Sequence, residues 1–381
     1  MNIALFSETN ISKKKGTSVY INEVSKNLAK KHNVFLFLPN SSFKKEKKDK
    51  HGRKIIYIKN ISKNFLLSKR SVFLKNLEIY LDKFVHNNNL DIFHCLYGHY
   101  FHFLKKYNKP IYWTCHNIPP NENKPFFYSE NLFLKFINSF FFTLVRIKHK
   151  YLIKKLKFKK IITPSQYVEN IFKEEFNLDS KKIKHINNGV NLKKVEKKEK
   201  KKFKKFTILT LAAFKYHKNL HLIPLILENL KSYDFQWIIV GDITDNKYFN
   251  KYFKYFKKFI LQKKIIIKKN ISDIEKRDFF RKSHLYVQLS ANEGFGIPLL
   301  EAKFYNLNSL STICGSSKQI TKLFGGLLIY NIDTKLIAKK ILKIFKSKKK
   351  YKNKNVKNLN HWHWEFITNR LNNIYKYDNF K

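Results

Sequence analysis

Two glutamates, Glu293 and Glu301, stand with seven residues between them in the stretch LSANEGFGIPLLEA, residues 289–302. An apolar run ending at Leu289 reads as a strand, and it gives way to a loop holding Gly294 and Gly296. Pro298 suits the first turn of a helix, where a missing N–H costs nothing. The backbone amides of Phe295, Gly296 and Ile297 would then point out of the helix start. With the helix dipole behind them they make an anion site suited to a diphosphate. Glu293 lies before this helix and Glu301 in its first turns, so both can face one mouth, one toward a sugar and one toward a ribose. Spacing alone does not separate that reading from a chance pair, because a glutamate near a helix start is favourable in any case.

Other chemistry-bearing residues are sparser. His116 follows a predicted strand, a position that a structural histidine also takes. His361 and His363 flank Trp362, but no cysteine or acidic cluster supports a metal site there. Cys95, Cys115 and Cys314 are too few and too scattered for a disulfide framework, which fits a reducing compartment. The segment 124–160 is rich first in aromatics, among them Phe126, Phe133, Phe136 and Phe140, and then in lysines. It reads either as a core helix with a solvated face or as an interfacial helix drawn to anionic headgroups.

The elements that must position these residues follow an alternating rhythm. Strands are expected at Ile3–Phe6, Val34–Leu38, Ile55–Ile58, Asp91–Cys95, Ile111–Thr114 and Ile161–Thr163, with helices at 19–31 and 72–85. After the charged run 193–205, KKVEKKEKKKFKK, the rhythm resumes. That run cannot bury itself and reads as a solvated linker. Further strands are expected at Phe206–Leu211, Gln236–Val240, Ile265–Ile267 and Leu285–Leu289, with helices at 220–230 and 252–261 and a terminal amphipathic segment at 362–375. Strands separated by helices imply parallel sheets covered on both faces. Two such open α/β sheets bind ligands at the carboxyl ends of their strands, in a cleft between them.

The formal net charge of +51 suggests nucleic acid until its source is considered. Of 78 basic residues only six are arginine, and lysine is spread along the whole chain. Lys, Phe, Ile, Asn and Tyr share A/T-rich codons, so codon drift alone gives this composition. Readers of base edges favour the planar fork of arginine, and no specific nucleic-acid partner is expected. The surface should still be drawn to anionic ones, a membrane leaflet included. The most apolar stretch, 136–147, is about a dozen residues and contains Asn138 and Arg146, whereas a spanning helix needs about 20. No leader segment is visible at the start. The expectation is a cytoplasmic protein, soluble or peripheral at the inner face of a membrane.

The string EGFGIPLLEA resembles the Glu–seven residues–Glu motif of the retaining glycosyltransferases of the GT-B fold, family 4 (glycosyl transferases group 1), and the likeness extends over most of the chain. Lys15-Gly16-Thr17 matches the family's glycine-rich loop after the first strand. Trp113-Thr-Cys-His116-Asn117 matches its Thr-x-His-Asp strand end, and Ile162-Thr-Pro-Ser165 its Thr-Pro-Ser element. Asn188-Gly189-Val190-Asn191 resembles the Asn-Gly-Val-Asp before the linker. Phe214-Lys215-Tyr-His-Lys218-Asn219 resembles the donor-phosphate loop, and Trp364-Glu365 the terminal helix. Where the family places an arginine five residues before its phosphate lysine, this chain has Ala213, with Lys215 as the neighbouring cation.

The resemblance implies two Rossmann-like domains facing a central cleft. They are an acceptor domain at 1–192, the linker at 193–205, a nucleotide-sugar domain at 206–355, and a helix at 356–381 returning to the first domain. It implies a hexosyltransferase that takes its sugar from a nucleotide diphosphate and gives it to a glycan or lipid-linked acceptor in cell-surface polysaccharide or lipopolysaccharide synthesis. Glu301 would bind the ribose and Glu293 orient the sugar. Lys218, Lys215 and the amides of Gly16 and of Gly294, Phe295, Gly296 and Ile297 would meet the diphosphate. His116 would approach the sugar or the acceptor hydroxyl. Neither a metal nor another cofactor is expected, since a lysine and oriented amides can stabilise the leaving oxygen. Two other readings stay open: a sugar-nucleotide epimerase of the same fold, and a non-catalytic basic protein binding membrane or nucleic acid.

Overall fold

Short runs of β-branched and aromatic residues become most of the strands, with helices between many of them. In the first half the strands are Asn2–Phe6 (β1), Asn33–Asn40 (β2), Lys45–Lys48 (β3), Lys54–Lys59 (β4), Ile92–Cys95 (β5), Ile111–Thr114 (β6), Lys160–Thr163 (β7) and Ile183–His185 (β8). Helices Gly16–Leu28 (α1), Lys69–Asn88 (α2) and Gln166–Phe176 (α3) lie between them. The computed structural model describes residues 1–11, 16–40, 45–60, 69–96, 101–116, 140, 143–144, 147, 150–151, 153–155, 158–191, 201–347 and 361–379. The lysines at 13–15, Asn117, the aromatics from 126 to 136 and the lysine runs at 193–200 and 348–354 lie outside the described residues.

The described strands of the first half form one sheet in the order β3-β4-β2-β1-β5-β6-β7-β8. Every pairing is parallel except β3 with β4, which is antiparallel. The sheet is parallel as expected apart from this edge, and the reason for the exception is local: a lysine-rich strand at a sheet edge can fold back as a hairpin, and its charges discourage further pairing. The core beneath this sheet is aromatic, built on Phe6, Phe37, Phe93, Trp113 and Phe172. Ser165 opens α3 by accepting from the amide of Val168 at 3.2 Å, so the Thr-Pro-Ser string acts as a helix cap.

The second half contributes Phe206–Leu211 (β9), Phe235–Val240 (β10), Ile265–Lys268 (β11), Leu285–Gln288 (β12), Asn308–Thr312 (β13) and Leu327–Ile329 (β14). Its helices are Leu222–Glu228 (α4), Asn246–Leu261 (α5), Asp273–Lys282 (α6), Ile297–Phe304 (α7), Ser317–Phe324 (α8) and Thr334–Lys346 (α9). The sheet order is β11-β10-β9-β12-β13-β14, all parallel. The order reverses between β9 and β12, which is the switch point where doubly wound sheets receive ligands. Trp237, Ile239, Phe256 and Val287 sit in the core of this half.

A last helix, Trp364–Asn379 (α10), belongs with the first sheet, so the described residues up to Asn191 and those from His361 form one unit. Those from 201 to 347 form the second. Within the first unit α10 lies along α1, where His32 Nε2 meets Asn372 Oδ1 at 2.7 Å and Lys30 meets Glu365 at 3.0 Å. Trp364 sits on Gly189, where a Cβ would come within 2.9 Å of the Trp364 Cα. Only glycine allows that approach. Part of the expected linker is tethered within the second unit: Lys202 Nζ donates to the Ser283 carbonyl at 2.6 Å, and the Phe203 amide to Lys282 at 3.0 Å.

Candidate functional site

The second unit brings the Lys218 turn and the Glu293 loop together. The chain leaves β9 flush against Gly241, where a Cβ would lie 2.0 Å from the Ala212 carbonyl oxygen. It then makes a tight turn, Tyr216–Lys218, closed by Asn219 in the left-handed region at φ 52°. Three bonds tie this turn to the loop after β12. The Ala291 amide donates to the His217 carbonyl at 2.8 Å. Asn219 Nδ2 donates to the Leu289 carbonyl at 3.0 Å. Lys218 Nζ donates to Glu293 Oε1 at 2.7 Å.

Glu293 receives a second bond, from Ser290 Oγ at 2.7 Å, while Thr312 Oγ1 holds the Ser290 carbonyl at 2.6 Å. Burial pushes the Glu293 carboxyl up, but the Lys218 charge and the bonds from Lys218 and Ser290 outweigh it and hold the group below the usual carboxylate range. Glu293 is therefore a fixed, ionised carboxylate already engaged by a cation. His217, beside this pair, is pushed down to about 4, chiefly by burial and then by Lys218. Lys215 opens the turn and is exposed.

After Glu293 the chain enters α7 as its sequence requires. Gly296 is the N-cap at φ 94° and ψ 52°, a conformation that favours glycine, and Pro298 occupies the first turn. The amides of Gly296 and Ile297 have no partner among the described residues, and they open the helix as an anion site would. Glu301 lies one turn in. Its Oε1 accepts from Lys276 Nζ on α6 at 2.7 Å, and despite burial this partner raises the Lys276 pKa. Both glutamates of the motif are thus ion-paired to lysines from other elements. Lys276 carries no local signal in the sequence, because its partner lies on a different helix.

In the first unit Gly16 is the exposed first residue of α1, and His116 follows β6. His116 is 9% exposed, and its Nε2 is buried with no hydrogen-bond partner among the described residues. Burial pushes its pKa down to about 3, so the imidazole is neutral. Ser18 Oγ on α1 and Asn188 Oδ1 beyond β8 are also buried without partners among the described residues. An unmet buried polar group costs about 1–3 kcal/mol, and hydroxyls of a ligand could meet these. No disulfide joins Cys95, Cys115 and Cys314, all buried. Among the described residues no three His, Cys, Asp or Glu side chains gather as a metal site would require, and no helix is long and apolar enough to cross a membrane.

Two family models match, Glycosyltransferase Family 4 over residues 14–194 and Glycosyl transferases group 1 over residues 192–359. No curated protein matches at significant sequence similarity. Among solved structures, sucrose-phosphate synthase from Thermosynechococcus elongatus is similar with a TM-score of 0.79 at 13% identity, covering 98% of each chain. A glycosyltransferase from Rickettsia africae is similar with a TM-score of 0.70 at 20% identity, covering 99% of this chain and 98% of that one. Anabaena HepE in complex with UDP-glucose is similar with a TM-score of 0.73 at 13% identity, covering 98% and 99%. At these identities the structures speak to the fold alone. The fold is GT-B, two Rossmann-like units with parallel-dominated sheets. The chain belongs to the group 1/family 4 glycosyltransferases, and it is a glycosyltransferase enzyme.

His94 is pushed down to about 3 like His116, in both cases by burial. Their folded pKa lies below the unfolded value of about 6.5, so the stability they carry is complete above that pH and is lost as pH falls toward 3. Each contributes a slope on the order of 1.4 kcal/mol per pH unit below about pH 5.5. Urea midpoints measured at pH 5.5 and 4.5 should fall less steeply in the His94→Gln/His116→Gln double variant than in the wild type. Equal slopes would show that neither imidazole is held neutral by burial.

Proposed function

We propose that this glycosyltransferase is a retaining enzyme that moves a hexose-type sugar from a nucleotide-diphosphate-sugar to a hydroxyl of a glycan or lipid-linked saccharide, as in cell-surface polysaccharide or lipopolysaccharide synthesis. The observation that carries it is the meeting of Lys218, Glu293 and the opening of α7 within one unit. Breaking a glycosyl–phosphate bond leaves positive charge on the ring and negative charge on the departing oxygen. Lys218, helped by Lys215 and the amides of Gly294, Phe295, Gly296 and Ile297, would take the negative charge. Glu293 would hold the sugar hydroxyls and face the positive ring, while Glu301 would accept from the ribose once Lys276 yields. The acceptor oxygen bonds to the anomeric carbon on the face the phosphate leaves, and its proton passes to the departing phosphate oxygen. Neutral His116 would hold a sugar or acceptor hydroxyl through its unpartnered Nε2. This reading calls on no metal ion.

An anionic membrane surface is the proposed place of work, at the cytoplasmic face. Phe140, Leu144, Ile147 and Tyr151 are respectively 64%, 49%, 60% and 60% exposed. Their spacing sets them on one side of a helix, while Ile153 on the opposite side is buried in the core of the first unit. Lys150, Lys154 and Lys155 are exposed beside them, and Lys155 Nζ lies 5.5 Å from the Tyr151 ring centroid. Apolar residues at the centre and lysines at the flank fit an interfacial helix on anionic headgroups.

Lys218→Ala should lower sugar transfer by about 100-fold or more, the size of losing one donor to a leaving oxygen, and Glu293→Ala, which removes the carboxylate facing the sugar, should lower it as well, measured by release of nucleoside diphosphate from UDP-, GDP- and ADP-sugars with an added saccharide or water taking the sugar. Undiminished turnover in both would end the assignment. In flotation assays the protein should rise with phosphatidylglycerol vesicles and stay behind with phosphatidylcholine. Replacing Phe140, Leu144 and Ile147 by serine should abolish the flotation, and equal binding by that variant would remove the membrane from the reading.

A further inference from the structure

No polar side chain orients His116: among the described residues nothing hydrogen-bonds its ring. What sets its direction is packing. Tyr20 on α1 makes a T-shaped contact with the imidazole, with centroids 4.4 Å apart and planes at 75°. The Tyr20 hydroxyl is buried 2.9 Å from Thr114 Oγ1, at the end of β6. The same oxygen lies 2.7 Å from His94 Nε2 on β5. His94 Nδ1 in turn is hydrogen-bonded to the Tyr375 hydroxyl on α10. Trp364, at the head of α10, packs edge-on to Tyr20 at 5.8 Å and 77° while resting on Gly189. Tyr20, His94, Thr114, Trp364 and Tyr375 are all buried.

Such a chain of polar groups in a dry core gains little over apolar packing unless one arrangement is required, because any unmet member is costly there. The proton count closes. With its proton on Nδ1, neutral His94 donates to the Tyr375 oxygen and accepts at Nε2 from the Thr114 hydroxyl, which in turn accepts from the Tyr20 O–H. Desolvation raises the Tyr20 pKa to about 12, so its hydroxyl keeps that proton. The chain thus locks the tip of Tyr20, and Trp364 packs on its ring, which holds that ring against His116.

We propose that Tyr20 is the positioning residue for His116, fixed from behind by the terminal helix through Trp364 and through the Tyr375–His94–Thr114 chain. The inference rests on His116 acting on the substrate, as proposed above. It gives α10 a part in the site of the first unit: the helix is the anchor of a side chain that packs against the imidazole.

The test is steady-state release of nucleoside diphosphate from UDP-glucose, GDP-glucose and ADP-glucose, with an added saccharide or water taking the glucose, kcat and KM separated and rates normalised to folded protein. Tyr20→Leu removes the ring edge and should lower kcat by about 10- to 100-fold, the scale set by small misplacements of a reacting group, with donor KM within about twofold. Tyr20→Phe keeps the edge and should restore kcat to within about threefold of the wild type. A merely structural tyrosine would instead lose folded protein and leave kcat per folded molecule unchanged. Should Tyr20→Leu not fold, Thr114→Val, which unlocks the tip alone, should lower kcat by about threefold at unchanged donor KM; wild-type kcat there contradicts the proposal. Wild-type turnover in His116→Ala would overturn the role of His116 itself. A slow His116→Ala beside a fast, folded Tyr20→Leu would overturn the positioning role alone.

Discussion

The ion pair between Lys218 and Glu293 is the interaction on which the site of the second unit depends. Its two side chains are 17% and 18% exposed and 2.7 Å apart. In a setting this dry, neither charge is comfortable without the other, because removing one partner leaves the second desolvated and uncompensated. The pair therefore does two things at once. It ties the turn after β9 to the loop after β12 across the switch point of the sheet, and it keeps a lysine poised beside the opening of α7. In the proposed reaction a diphosphate arriving there would compete with a carboxylate for the same ammonium, and it would add the amides of Gly296 and Ile297, which have no partner among the described residues. The carboxylate released would then be a neighbour of the sugar.

The same logic recurs at Glu301 and Lys276, again at 2.7 Å. In a chain with 78 basic and 27 acidic residues, a buried carboxylate readily finds a lysine. The excess of positive charge that looks at first like a nucleic-acid signature thus has a local consequence: both carboxylates of the motif are pre-neutralised, each by a flexible point charge rather than an arginine fork. A lysine with three rotatable donors can leave a carboxylate for a phosphate with little rearrangement of the backbone. The first unit is built on the opposite principle. His94 and His116 are uncharged, the Tyr20–Thr114–His94–Tyr375 chain is neutral, and direction comes from ring edges and hydroxyls.

Much of this was legible in the residues. The string from Glu293 to Glu301 announces a strand, a glycine turn and a proline-led helix, and β12, Gly296 and α7 follow it closely. Phe206–Leu211 is a strand at the expected bounds because its apolar run is short and ends in a turn. The helix expected over 220–230 is shorter, Leu222–Glu228, since Asn219 takes a left-handed turn before it. The antiparallel β3 escaped notice because a run of Lys and Glu carries no strand signal of its own. Lys276 and Tyr20 escaped for another reason. Their partners are 25 and 94 residues away, on Glu301 and Thr114, and only the folded sheet brings them together. Asp333, which caps α9 by accepting from Lys335 and Leu336, was in plain view ahead of Ile337, Ile341 and Ile344 at helical spacing.

The most direct measurement is calorimetric titration of UDP, GDP and ADP into the wild type and into Glu293→Gln. If the diphosphate takes Lys218 from Glu293, the variant frees the ammonium and removes a repelling carboxylate. The preferred nucleotide should then bind about tenfold tighter, a difference of about 1.4 kcal/mol. Affinity that is unchanged or weaker in Glu293→Gln would mean that the nucleotide does not contend for Lys218 and that its phosphates sit elsewhere.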